Sequence, residues 1–203
     1  MNEQSSETEP KFRVRARHTG STVVVYQAYR PEIGRPAART GRFPSAWKRD
    51  RMTWIKPSFL WMMYRCGWGT KEGQETVLAV EVRREGFEWA LRHACLSHYA
   101  PELHPDQAAW KRELARCPAR VQWDPERDLH HNPLPYRSLQ LGLGGEAAVR
   151  YADEWIVGIE DVTPLAAEIR GLVRAGEEER ASGLLPEERP YPLADEVLAR
   201  LRA

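Results

Sequence analysis

The sequence is poor in cysteine. Cys66, Cys95 and Cys117 form an odd set without CxxC spacing, which argues against a disulfide framework and against a zinc site, and leaves them as reduced packing residues. Six histidines include the pair His130 and His131, but there is no HExxH and no carboxylate at helical spacing from them. The pair falls in a stretch containing Pro and Asn and reads as a loop, so no metal is expected. No apolar run approaches the roughly 18 to 20 residues of a membrane helix. The opening MNEQSSETEP has no apolar core of the kind a secretory or transit segment carries, so the expected location is the cytoplasm. Gly-rich phosphate loops are missing as well. Neither GxGxxG nor GxxxxGK[ST] follows a strand-like run, which argues against Rossmann and P-loop nucleotide binding. Ser-His-Asp spacing and paired carboxylates on one helix are also absent, so hydrolysis of those kinds has no support.

What is present is a chain of 203 residues, 42% hydrophobic and 29% charged, the balance of a globular protein. One domain is expected over residues 11–203, after a polar and disordered segment at residues 1–10. A net charge of +1 hides an asymmetry: residues 11–70 hold 13 Lys and Arg against two acids, whereas residues 151–203 hold six Arg against 12 acids. Either the basic third meets a phosphate-rich ligand, DNA or RNA, or the two halves pair with each other.

The β-branched run TVVVYQAY (Thr22–Tyr29) predicts a strand, with Val23, Val25, Gln27 and Tyr29 on one face and Val24, Tyr26 and Ala28 on the other. After it, residues 31–43 can hold a short helix weakened by Gly34 and Pro36 and ended by Gly41. Pro57 is expected at the first position of a buried helix FLWMMYRC that stops near Gly67 or Gly69. Further strands are predicted over residues 76–84, 119–124, 137–143 and 155–162, and further helices over residues 85–98, 105–116 and 145–155. The C-terminal helices start near residue 164: one is capped by Thr163 and runs to about Ala181, and a short one follows. The class is α+β, with a mixed, largely antiparallel central sheet and flanking helices.

One constellation stands out. With Pro57 opening the helix, the N–H groups of Ser58 and Phe59 are free, Arg51 and Lys56 stand just before them, and Trp54 offers a stacking face. Cations at a helix N-terminus make an anion site suited to phosphate or pyrophosphate. The alternative is surface charges beside a core tryptophan. Gln27 either points into a site or satisfies a neighbouring loop, since a buried amide needs partners. Asp124, Gln140 and the strand-end acids Glu160 and Asp161 are weaker candidates, readable as turn or solvent residues.

The segments VYQAYRPEIG, RMTWIKPSFLWMMYRCGW, QETVLAVEV, VQWDP, RSLQLGL and YADEWIVGIEDVT resemble an uncharacterised family, the domain of unknown function forty-two ninety-one. More distantly, the order of VYQAY, a weak helix ending in GRF, RMTWIK, a helix and VLAVEV looks like the front half of ADP-ribosyltransferase-type folds. That resemblance implies an ADP-ribosyltransferase-like sheet, NAD as substrate and no metal. Gln27 would stand where such folds carry the His or Arg that holds the NAD ribose, and Thr53 to Ser58 would supply the second motif. Gln140, Glu160 or Asp124 would supply the third. The pyrophosphate would lie on Arg51, Lys56 and the helix start at Ser58, with a ring stacked on Trp54 or Tyr29. A protein or nucleic-acid acceptor would receive the ADP-ribose. The rival expectation is a non-catalytic domain that binds nucleotide or nucleic acid through the same residues.

Overall fold

The computed structural model describes residues 11–202, so the disorder expected for residues 1–10 lies outside the described residues. A two-residue strand β1 (Arg15–Ala16) leads into β2 (Thr22–Tyr29), helix α1 (Pro31–Thr40), the short strand β3 (Thr53–Ile55) and helix α2 (Phe59–Cys66). Then come β4 (Thr76–Arg83), α3 (Arg84–Arg92), β5 (Ala94–Leu96), α4 (Gln107–Arg116), β6 (Ala119–Arg127) and β7 (Pro133–Leu143). Helix α5 (Glu146–Arg150) runs on into a π-helical turn over Tyr151–Trp155 and then β8 (Ile156–Asp161). The chain finishes with α6 (Thr163–Arg174), α7 (Glu178–Gly183), β9 (Arg189–Pro190) and α8 (Asp195–Leu201). No described helix is long and apolar enough to cross a membrane.

The α+β class and the mostly antiparallel pairing agree with the sequence pattern, but a single central sheet does not. Three strands pair in the order β2-β4-β8 and four in the order β3-β7-β6-β5, with β1 and β9 as a separate ribbon. Only β5 and β6 are parallel among the described strands. The alternation of β2 explains the layering. Val23 and Val25 join Leu78, Val80 and Val82 in the large core shared with Ile55, Val121, Leu139 and Leu141 of the second sheet. Val24 and Tyr26 face the other way, onto Phe59, Met62 and Met63 of α2 and Ala166 and Ile169 of α6. One face of the first sheet is therefore covered by α2 and α6, and the other by α1 and α3 together with the second sheet.

Several boundaries moved for identifiable reasons. The helix expected over residues 85–98 stops at Arg92, because Ala94–Leu96 are buried as a strand beside β6. The expected loop after Asp124 is mostly strand: β6 runs to Arg127 and β7 starts at Pro133. The Asp128 carboxylate takes the N–H groups of His130 and Asn132 to close the turn between them. The long helix expected after Thr163 breaks at Gly176, whose φ of 74° is left-handed. Thr163 is its first residue and not its cap. Its N–H goes to the Asp161 carboxylate, while its hydroxyl accepts from Val77 N at 2.9 Å.

Helix α1 survives its Gly34 and Pro36 because Gly34 allows it to lie flush on β4. A methyl group at Gly34 would sit 2.5 Å from the Thr76 Cβ, far inside contact distance. This close approach carries Arg30 and Ile33, at the start of α1, to the edge of the cleft described below. Gly34→Ala is expected to lower stability by about 1–3 kcal/mol through overpacking, despite the roughly 1 kcal/mol gain in helix propensity. Urea unfolding of the variant checks this, and a net gain in stability would contradict so tight a contact.

Candidate functional site

The two sheets meet where β2 passes the end of β3. Tyr26 N donates to the Lys56 carbonyl at 2.7 Å and Lys56 N donates to the Tyr26 carbonyl at 3.3 Å, a single antiparallel bridge. One residue further along β2, Gln27 is buried and makes the side-chain part of the same joint. Its Nε2 lies 2.7 Å from Thr53 Oγ1, 2.8 Å from Tyr29 Oη and 3.3 Å from the Trp54 carbonyl. Its Oε1 accepts from Tyr151 Oη at 2.7 Å, which ties in the π-helical turn. Tyr29 Oη also accepts from Trp47 Nε1 at 3.0 Å. Burial pushes the Tyr29 and Tyr151 phenols above their ordinary range, so both remain protonated donors. Gln27 thus has its amide fully engaged by the protein.

Above this joint lies a cleft of about 540 Å³. Its floor is buried and comes from Gln27, Thr53 and Lys56 together with Ile33, Trp47 and Met62. Its rim carries exposed Arg30, Lys48, Arg51 and Arg65, with Glu72 as the lone acid among the lining residues. Lys48, Arg51 and Arg65 make no ion pair within the described residues. Trp54 is half-buried on one wall, its ring resting where a methyl group on Gly142 would come within 3.0 Å.

Lys56 is the unusual member. It is 6% exposed, its Nζ donates to the Trp54 carbonyl at 3.2 Å, and it lies 5.6 Å from the centre of the Trp61 ring. Burial lowers its pKa to about 7, with the Arg65 guanidinium acting in the same sense and Asp124 partly opposing them. No carboxylate pairs with it among the described residues, so near neutral pH the side chain is divided between ammonium and free amine.

The start of α2 differs from expectation. Pro57 lies outside the helix and Ser58 is its N-cap, its Oγ accepting from Trp61 N at 3.1 Å. The free N–H of Phe59 is taken by Glu188 Oε1 at 2.7 Å, and the Ser58 hydroxyl donates to Glu126 Oε1 at 2.9 Å. The acceptors at this helix terminus are thus the chain's own carboxyl groups. Ser58, Glu126 and Glu188 line a separate cavity of about 410 Å³, together with Arg15 and Arg127. Burial raises the pKa of both carboxyls, Glu188 to about 8 with the neighbouring Glu126 adding to the shift.

Of the residues singled out in the sequence, Gln27, Tyr29, Arg51, Thr53, Trp54 and Lys56 line the one cleft. Ser58 belongs to the second cavity. Gln140 lies on β7 and donates to the Asp124 carboxylate, with Gln122 bonded to the same group at 3.1 Å. Glu160 is exposed on the edge strand β8, opposite Ala79. Neither Gln140 nor Glu160 lines the cleft. Trp47 and Arg65 were missed. Trp47 sits in an irregular segment with no periodicity, and Arg65 is brought back to Lys56 by the turns of α2. Glu188 was missed because it is remote in sequence and resembles any solvent acid. Among the described residues no group of three or more His, Cys, Asp and Glu could hold a metal ion.

Fold and site together define an α+β protein with a cation-rimmed cleft over the joint of two sheets. The family described as Domain of unknown function (DUF4291) matches residues 13–191, and the chain belongs to that family. The match takes in both main sheets and every residue of the cleft. No curated protein matches the chain.

Gln27→Leu is expected to lower stability by about 1–3 kcal/mol, because it orphans the fully buried Tyr151 hydroxyl and leaves the Thr53 hydroxyl only its 3.2 Å bond to Tyr29. Denaturant unfolding checks this; unchanged stability would mean that the network does not hold the joint. A second expectation concerns pH. A carboxyl raised from 4.5 to about 8 on folding stabilises most at low pH, and its contribution is lost as pH climbs from about 5 to 8. Glu188→Gln should therefore flatten the fall in stability over that window, measured as denaturation midpoint against pH. Lys56, lowered on folding, acts in the opposite sense above pH 7, so wild type and variant are compared at each pH. Identical slopes would remove Glu188 from the account.

Proposed function

We propose that the cleft binds a nucleotide carrying a diphosphate, with NAD or ADP-ribose as the reference ligands. The observation that carries this reading is the cationic rim of Lys48, Arg51 and Arg65, unpaired among the described residues, over a partly apolar floor. Guanidinium groups suit phosphate because they donate two parallel hydrogen bonds, and four rim cations against one acid bias the cleft strongly toward anions. Trp54, half-buried on the wall, offers the ring for a base or nicotinamide, since the Tyr29 hydroxyl and the Trp47 indole N–H are already engaged. A volume of about 540 Å³ suits a small ligand in a concave site, and this favours a nucleotide over a nucleic-acid duplex.

The distant ADP-ribosyltransferase-like resemblance supports NAD as the ligand and ADP-ribose transfer as an activity. The support is strongest for binding. In the transfer reading a late-strand polar group stabilises the developing oxocarbenium ion, and Glu160 and Gln140 both lie off the cleft. Nucleotide binding is therefore the reading adopted.

Isothermal titration with NAD and with ADP-ribose tests it. Affinity near the micromolar range is expected, weakened at least about tenfold in the Arg51→Ala, Arg65→Ala double variant. Affinity should also fall as pH rises above 7. An anionic ligand binds the ammonium form of Lys56, so above its pKa each binding event must take up a proton. Absence of binding at millimolar ligand would overturn the proposal. Salt-steep binding of single-stranded DNA or RNA in its place would favour the nucleic-acid reading.

A further inference from the structure

Resting on that reading, we propose that Lys56 is a nucleophilic amine that condenses with the carbonyl carbon of a phosphorylated reducing sugar held in the cleft. Its position carries the argument. Lys56 lies on the cleft floor, almost wholly buried, on a backbone pinned by the bridge to Tyr26. Among the described residues its one hydrogen-bond partner is the Trp54 carbonyl at 3.2 Å, which accepts a single N–H and leaves the nitrogen lone pair uncommitted when the side chain is unprotonated. The other groups that act on it are Arg65 and Cys66 on α2 and Asp124 on β6. Burial and the adjacent guanidinium favour the free amine, the standard means of activating a lysine toward carbonyls.

Rim and floor divide the work. Arg51 and Arg65 hold phosphate at the mouth, where its charge is met, so the sugar carbonyl reaches the floor. A simple structural lysine would be expected to have a carboxylate beside it, because a buried unpaired ammonium is costly. In the step itself the amine lone pair forms the C–N bond and the carbonyl π electrons move to oxygen. Loss of the oxygen as water, with the two amine protons, gives the imine. No oxidant, reductant or second reactant is needed.

The test is reductive trapping at neutral pH. Intact protein is incubated with ribose 5-phosphate or ADP-ribose and cyanoborohydride, followed by peptide mapping. The expected adduct has the mass of the ligand less one oxygen and lies on Lys56, in more than about tenfold excess over each of the exposed Lys11, Lys48, Lys71 and Lys111. Unphosphorylated ribose should label Lys56 far less, and ADP, which has no carbonyl, should block the labelling. Lys56→Met should lose the adduct; because the mapping is made on the unaltered chain, the conclusion does not depend on that variant folding. Label spread over exposed lysines with Lys56 clean, while ADP still binds, would overturn the amine step and leave nucleotide binding standing. If ADP does not bind and Lys56 stays clean, both proposals fall together.

Discussion

The bridge between Tyr26 and Lys56 is the constraint on which the rest of the molecule depends. Two hydrogen bonds join the middle of β2 to the residue just past β3, and through them the three-stranded sheet to the four-stranded one. Beyond this point the sheets separate, one side sealed by the shared core and the other left open as the cleft. A backbone joint of that size is weak by itself, since each hydrogen bond contributes only about 1 kcal/mol net. Gln27 reinforces it by giving its amide to residues of β2, β3 and the π-helical turn at once. The turn places Tyr151 directly over the glutamine oxygen, and this explains why a distorted helical segment is kept in a buried position.

Charge is distributed to match this geometry. The basic first part and the acidic last part of the chain do meet: Glu188 caps α2 from the C-terminal side, Arg49 pairs with Asp153, and Arg15 donates to the Glu188 carbonyl. These contacts use part of the positive charge and leave the rim of the cleft unneutralised. The N-terminus of α2 offers the sharpest contrast. Its dipole and free N–H groups call for an acceptor, and the chain's own carboxyl groups supply it, Glu188 on the Phe59 N–H and Glu126 on the Ser58 hydroxyl. The rim cations, in contrast, have only one acid among the residues lining the cleft with them.

The legible parts of the structure were those fixed by local pattern. β2, β4 and α2 carry their periodicity within a few consecutive residues, and the two faces of β2 could be assigned residue by residue. The stretch from Arg51 to Lys56 and the end of β2 announced the cleft because they combine cations and aromatics where an apolar strand or helix should continue. What could not be read depends on pairing between distant segments. The division into two sheets rests on which strands find each other, and β5 is too short to show alternation. The placement of Ser58 was misjudged for a related reason. Pro57 is compatible with the first helical position, but a serine next to it is the stronger cap, and the carboxyl partners of Ser58 and Phe59 lie 68 and 129 residues away respectively.

Lys56 gives the cleft its meaning. Placing a lysine in an enclosed site lowers stability at every pH where the unfolded chain would hold the proton, and no described residue compensates with an ion pair. Methionine or leucine would fill the space between Trp54, Trp61 and Met62 without that loss. The bridge to Tyr26 requires only the backbone of residue 56, so the fold itself does not demand an amine there. A group that the backbone does not need, that packing does not favour, and that faces an anion-attracting concavity is best explained by what enters the concavity. This links the two parts of the molecule: the same residue fixes the two sheets through its main chain and lines the cleft with its side chain.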